Sequence, residues 1–261
     1  MAIQVPANSL PSGMIDAYRR IQVALPGGRS ARVAVQRYAC QHVGYGTGQS
    51  ERMAIKDRVL GAMGGTRRLA QFGLTASSFV GVFSGKGSMD DIATCLAFMA
   101  ERRIFHHQRN LPGDDQRPLP DLLQRVADNY LGLDCNGFVG NWAVYNGVTG
   151  ASVNHYPIDW LTGRTVRRTL AEIQAYDIAV WANGTHIGMV ESVAAPAAGA
   201  TRLTVNFAES SRGGMLNHVG TEISALRTAV ETARGHFQAH FSLRNDIHGA
   251  GNVVIASMLR R

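Results

Sequence analysis

The chain has 261 residues, 45% of them hydrophobic, and 26 Lys and Arg against 19 Asp and Glu give a formal net charge of +7. That is enough apolar material for one large domain or two modest ones, and no run of about 18 apolar residues occurs, which excludes a transmembrane helix. Three widely spaced cysteines, Cys40, Cys95 and Cys135, argue against a disulfide framework and against a CxxC zinc site, and leave at least one thiol unpaired.

Residues 1–12 read as a lead-in with neither a basic start nor a long apolar stretch, so no classical secretory signal is expected. Gly13 to Leu25 has helical apolar spacing and stops at Pro26-Gly27-Gly28, and Ala31 to Ala39 alternates like a strand. Ser50 to Met63 reads as an amphipathic helix with Ser50 as N-cap. Two glycine-rich stretches, Gly44 to Gly48 and Gly81 to Ser88, have the wrong spacing for phosphate loops and read as turns. Ser88 caps a further helix that carries Asp90 and Asp91 in its first turn and runs to about Arg103, with Cys95 as an inert core thiol.

Asn110 to Pro120 is rich in proline, glycine and charge and reads as a linker. It divides a mostly helical extension, residues 1–110, from a second part, residues 111–261. There, Pro120 to Tyr130 is a helix, Gly132-Leu133-Asp134 turns the chain, and Cys135 opens the next helix. Ile178 to Trp181 and His186 to Val193 form a hairpin about Ala182-Asn183-Gly184-Thr185, and Arg202 to Ala208 alternates as a third strand. Gly220 to Arg234 reads as a helix with Leu226 and Val230 on one face, and Val253 to Leu259 as a last strand. Helices followed by an antiparallel meander is an α+β order.

The chemistry centres on Cys135. Only a thiolate is a good nucleophile, and a helix N-terminus and a nearby imidazole both favour it. Cys135 begins a helix whose free N–H groups, those of Cys135 and Asn136, suit an oxyanion. His186, at the start of a strand, is placed to take the thiol proton and return it to a leaving amine. A third group orients such a histidine. Glu209 is preferred for this and Asn206 is the alternative; their odd separation puts them on opposite faces of a regular strand. Gly188 leaves room for a facing helix.

Asp-Cys-Asn-Gly-Phe-Val at 134–139 resembles the Asp-Cys-Ser-Gly-Phe-Val signature of NlpC-type cell-wall peptidases. Tyr176 to Trp181 is similar to their Gly-Asp-Leu-Val-Phe-Phe strand, with Tyr176 in place of the glycine, and His186 to Val193 resembles the histidine strand of that family and of CHAP amidases. In CHAP members a glutamate follows on the next strand, where Glu209 stands. The resemblance covers roughly Leu122 to Glu209. The Tyr-x-Trp-Gly-Gly element upstream of the cysteine is missing, and residues 1–110 match no named family.

The resemblance implies a papain-like (NlpC/CHAP-like) fold, helices packed on a central antiparallel sheet, and hydrolysis of amide bonds in peptidoglycan stem peptides without metal or cofactor. The basic charge suits an anionic wall better than nucleic acid, because the basic residues are scattered. With no signal segment read, the expectation is a protein made in a bacterial cytoplasm, either a phage-type lysin or an antibacterial toxin delivered to the wall of a rival cell. A delivered toxin implies a secretion-machine partner and an immunity protein. The same triad serves a deamidase, transglutaminase or acyltransferase, and a non-catalytic binding module of the same fold is the third reading.

Overall fold

The computed structural model describes residues 10–39, 49–195, 199–233, 235 and 237–260. They form two compact units, one built on Met14–Asp134 and the other on Cys135–Arg261 with residues 10–13. Cys40 and the glycine stretch 44–48 lie outside the described residues. Among the described residues no helix is long and apolar enough to cross a membrane.

The first unit is mainly helical. The chain enters it at Met14 within α1 (Pro11–Tyr18), which is shorter than expected because the chain turns into a hairpin of β1 (Ile21–Ala24) and β2 (Ser30–Val33). Then come α2 (Gln49–Ala62), α3 (Ala76–Ser84), α4 (Met89–Arg102) and α5 (Leu119–Tyr130). Ser88 caps α4 as its sequence suggests, with Asp90 and Asp91 in the first turn. The stretch Gly81 to Ser88 is the last turn of α3 followed by the turn into α4: the Lys86 amide donates to Gly81, and Gly85 has φ +84°. A Cβ on Gly85 would stand 1.9 Å from the Ala39 carbonyl oxygen, so only glycine fits. Within 110–120, Asp114 is buried. Its carboxylate accepts from the Leu111 amide at 2.9 Å and pairs with Arg125 at 3.2 Å and His106 at 3.3 Å. Of the charges that mark this stretch as a linker, Asp114 is turned inward, whereas Asp115 and Arg117 stay exposed. α5, assigned by sequence to the segment after residue 110, belongs to this first unit.

The second unit begins with α6 (Cys135–Tyr145) and continues through β3 (Arg164–Val166), β4 (Ile178–Trp181), β5 (Ile187–Val193), β6 (Arg202–Ser211), β7 (Gly214–Glu231), β8 (Gln238–Asn245) and β9 (Gly249–Arg260). The order β9-β4-β5-β6-β7-β8 closes when β8 pairs again with β9, and β3 adds to β9 outside the ring. This is a closed six-stranded antiparallel barrel accompanied by helices, not the papain-like α+β arrangement of helices on a sheet that the sequence suggested. The difference arises within the stretch 220–234. Its residues 220–231 form the second half of β7 rather than a helix, with Thr221 and Ile223 buried between the more open Glu222 and Ser224, a period of two. Leu226 and Val230 do not share a buried helical face, and Val230 is exposed. Residues 238–245 supply a further strand, and these two strands close the sheet.

The barrel interior is one apolar cluster with a contribution from every strand of the ring, among them Trp181, Val190, Phe207, Ile223, Phe241 and Val253. Gly188 faces inward as well: a Cβ there would meet the Phe207 ring at 2.4 Å. Its missing side chain makes room for Phe207, not for a helix.

Before β4 the chain turns sharply. Asp177 is buried, accepts two hydrogen bonds from Arg167 at 2.9 and 2.8 Å, and takes a third from the Gln174 amide at 2.9 Å. Tyr176 has φ +68°, the left-handed region that favours glycine, and its ring stacks on Trp142 of α6 with centroids 5.4 Å apart. The aromatic stack offsets backbone strain of about 1 kcal/mol or more. Tyr176→Ala loses the stack and keeps the strain, whereas Tyr176→Gly loses both. Urea denaturation should therefore find the glycine variant the more stable of the two by about 1 kcal/mol, the reverse of the usual order.

Candidate active site

An antiparallel barrel brings alternate hairpins to one end. Here the β4–β5, β6–β7 and β8–β9 connections share an end, and each supplies polar side chains. The β4–β5 turn is held by Asn183, whose Oδ1 accepts from the Thr185 amide at 3.1 Å and hydroxyl at 2.8 Å, while Gly184 takes φ +71°. His186 follows directly, two residues before inward-facing Gly188. Gly188 pairs across the sheet with Glu209, two residues beyond inward-facing Phe207. The pleat thus points His186 and Glu209 to the same side.

His186 Nε2 lies 3.0 Å from Glu209 Oε2. Asn206 sits further down β6, opposite Ser192 beside an irregularity in the pairing. Of the two sequence candidates, Glu209 is the one brought to His186. Two further histidines, which the sequence reading did not single out, complete the cluster. His218 Nε2, on β7, is 3.3 Å from Glu209 Oε1, and His248 Nε2, from the β8–β9 turn, is 3.1 Å from the same oxygen. The turn presents His248 because Asn245 Oδ1 accepts the amides of Ile247 and His248 at 3.1 and 2.8 Å. Trp181 forms an aromatic wall, with ring centroids 4.7 Å from His186 and 5.2 Å from His248.

Protonation follows from the partners. A carboxylate only accepts, so each ring nitrogen facing Glu209 carries a proton. For His186 this leaves the Nδ1 lone pair as the basic position of the neutral ring. His218 meets Glu209 through Nε2 and Asp246 through Nδ1, so both nitrogens donate and the ring is a cation. Burial alone would push the fully buried Glu209 carboxyl up. Hydrogen bonds from His186, His218 and His248 outweigh burial and hold it well below the usual carboxylate range. The bond to Glu209 raises the pKa of His218 against the opposing effect of burial, and Asp246 adds to the rise.

Cys135 is the first residue of α6, is buried and is not part of a disulfide. The helix packs against β5 and β6, the strands whose ends carry His186 and Glu209. Asn136 is buried with no hydrogen-bond partner for its side-chain Oδ1. Cys95 lies on the apolar face of α4, where burial first and then Asp91 push its thiol far up. It is an inert core thiol in the first unit.

No known protein family, curated protein or solved structure matches this chain. The site's ionisation is open to direct test. Glu209 starts from 4.5 and is depressed, so its contribution is whole above pH 4.5 and is lost as pH falls. His218 starts from 6.5 and is raised, so its contribution is whole below pH 6.5 and is lost as pH climbs through the folded value. Both are intact between these limits. The stability difference between wild type and His218→Gln, read from urea denaturation, should be largest near about pH 5.5 and shrink toward about pH 9. A difference that grows with pH would contradict the ion pair.

Proposed function

We propose that the chain is a thiol hydrolase in which Cys135 is the nucleophile, His186 the general base and acid, and Glu209 the group that orients His186. The observation that carries this reading is the 3.0 Å bond from His186 Nε2 to Glu209, at the end of the strands on which the Cys135 helix packs. With Nε2 engaged, Nδ1 takes the proton from Sγ, and the thiolate attacks a carbonyl carbon. The oxyanion forms at the N-terminus of α6, toward the amides of Cys135 and Asn136. His186 returns the proton to the departing amine, and water then hydrolyses the acyl-enzyme. The buried Asn136 Oδ1 offers an acceptor for a substrate N–H.

The substrate we propose is an amide bond of bacterial peptidoglycan peptides. The cysteine, aspartate and histidine blocks that resemble NlpC and CHAP enzymes support it, and so does the +7 charge toward an anionic wall. The reading rests on the site and on these blocks, and a papain-like fold is no part of it. In this role the protein is a wall-degrading toxin or lysin, and a delivered toxin carries with it an immunity partner.

Incubation with purified peptidoglycan, followed by mass analysis, should release muropeptide fragments with wild type and none with Cys135→Ala. Glu209→Gln should lower the rate by about 100-fold or more. Equal release by Cys135→Ala would contradict the mechanism. A reactive Cys135 with no release would move the substrate to another acyl bond, such as that of a deamidase or acyltransferase.

A further inference from the structure

The hub of the site holds more nitrogen ligands than a thiol triad needs. His186, Glu209 and His248 each present one ligand atom, and these atoms all lie within 4.8 Å of one another. The two bonded pairs are 3.0 and 3.1 Å apart. Tetrahedral zinc with bonds of about 2.0–2.2 Å places neighbouring ligand atoms about 3.3 Å apart, so those pairs are near the required spacing. The widest spacing closes by an inward shift of His248, whose side chain is 26% exposed on a hairpin turn. His218 supports the set from behind: it donates to Glu209 Oε1 and is itself held by Asp246, the kind of outer contact that fixes a ligating carboxylate.

We infer that this end of the barrel binds one divalent transition-metal ion of the zinc class through His186 Nε2, the Glu209 carboxylate and His248 Nε2. Two imidazoles and one carboxylate suit zinc, and three protein ligands leave a position for water. Binding exchanges a proton for the metal at each imidazole. The Nε2 proton moves to Nδ1 in a neutral ring, or leaves to solvent from a cationic one, and the freed Nε2 lone pair coordinates. A consequence rests on the thiol-hydrolase reading: with metal on Nε2 and a proton on Nδ1, His186 has no lone pair for the Cys135 proton. Metal binding and thiol activation are then alternative states of one histidine, and zinc is an inhibitor of the hydrolase.

The test uses the reduced full chain after chelator treatment, titrated with Co²⁺ and then competed with Zn²⁺. One equivalent should bind, with visible cobalt ligand-field absorption and no thiolate charge-transfer band. His248→Gln should weaken affinity by about 100-fold with unchanged far-UV circular dichroism. Cys135→Ala should retain wild-type metal affinity, and zinc should slow alkylation of Cys135 in the wild type. No saturable uptake, wild-type affinity in His248→Gln, or a thiolate band lost in Cys135→Ala would each overturn the ligand set. Metal uptake through these ligands beside a Cys135 no more reactive than an ordinary thiol in the metal-free protein would uphold the site and overturn the hydrolase reading. Alkylation unaffected by bound zinc would overturn the exclusion alone.

Discussion

The second unit depends on a carboxylate that has no water to solvate it. Glu209 is fully buried, and an isolated carboxylate there would be protonated or would destabilise the fold by several kcal/mol. Three imidazole N–H groups replace the lost water. His218 brings the compensating positive charge, secured on its far side by Asp246. His218 and His248 share Oε1, which frees Oε2 for His186 alone. The division matters chemically. A carboxylate anchored on one oxygen is a fixed mount for the ring on the other, and the hydrogen bond from Nε2 to Oε2 sets Nδ1 as the basic nitrogen of His186.

Barrel closure is what makes this possible. Glu209 and His186 are neighbours across one strand pair, but His218 and His248 come from β7 and the β8–β9 turn, and His248 reaches Glu209 only because β8 returns to β9. The apolar interior does the closing: Trp181, Phe207, Phe241 and Val253 pack in one cluster, and Gly188 admits the Phe207 ring. Trp181 serves both levels, as part of that core and as the wall against which the His186 and His248 rings stand. Packing energy and site geometry therefore share residues, and a core substitution near Phe207 is felt at the imidazoles.

What sequence could reveal follows from the range of each signal. Cys135 at a helix start, the Asn183-Gly184 turn with His186 after it, and Glu209 on an alternating strand are local patterns, and all lie where they were read. The closed barrel was hidden because Leu226 and Val230 stand four apart and mimic a helix face, while the real burial alternates through Thr221 and Ile223. His218 stands two residues before the stretch 220–231, on the first half of the same strand, for which no element is read from sequence. His248 did carry a short-range signal, since Asn245-Asp246 and Gly249 are turn residues between alternating runs. Its meeting with Glu209 is a contact across 39 residues that no local pattern records. The substitution of Tyr176 for glycine was visible as a departure from the motif, and its reason, a stack on Trp142 held at positive φ, needed the fold.

The central claim is that one ionised carboxylate fixes the protonation of three rings, and nitrogen-15 NMR of the imidazoles in the metal-free protein near neutral pH reads this directly. The account predicts His186 and His248 protonated at Nε2, His218 protonated at both nitrogens, and loss of this pattern in Glu209→Gln. A neutral His218, or a His186 carrying its proton on Nδ1 in the wild type, would contradict it.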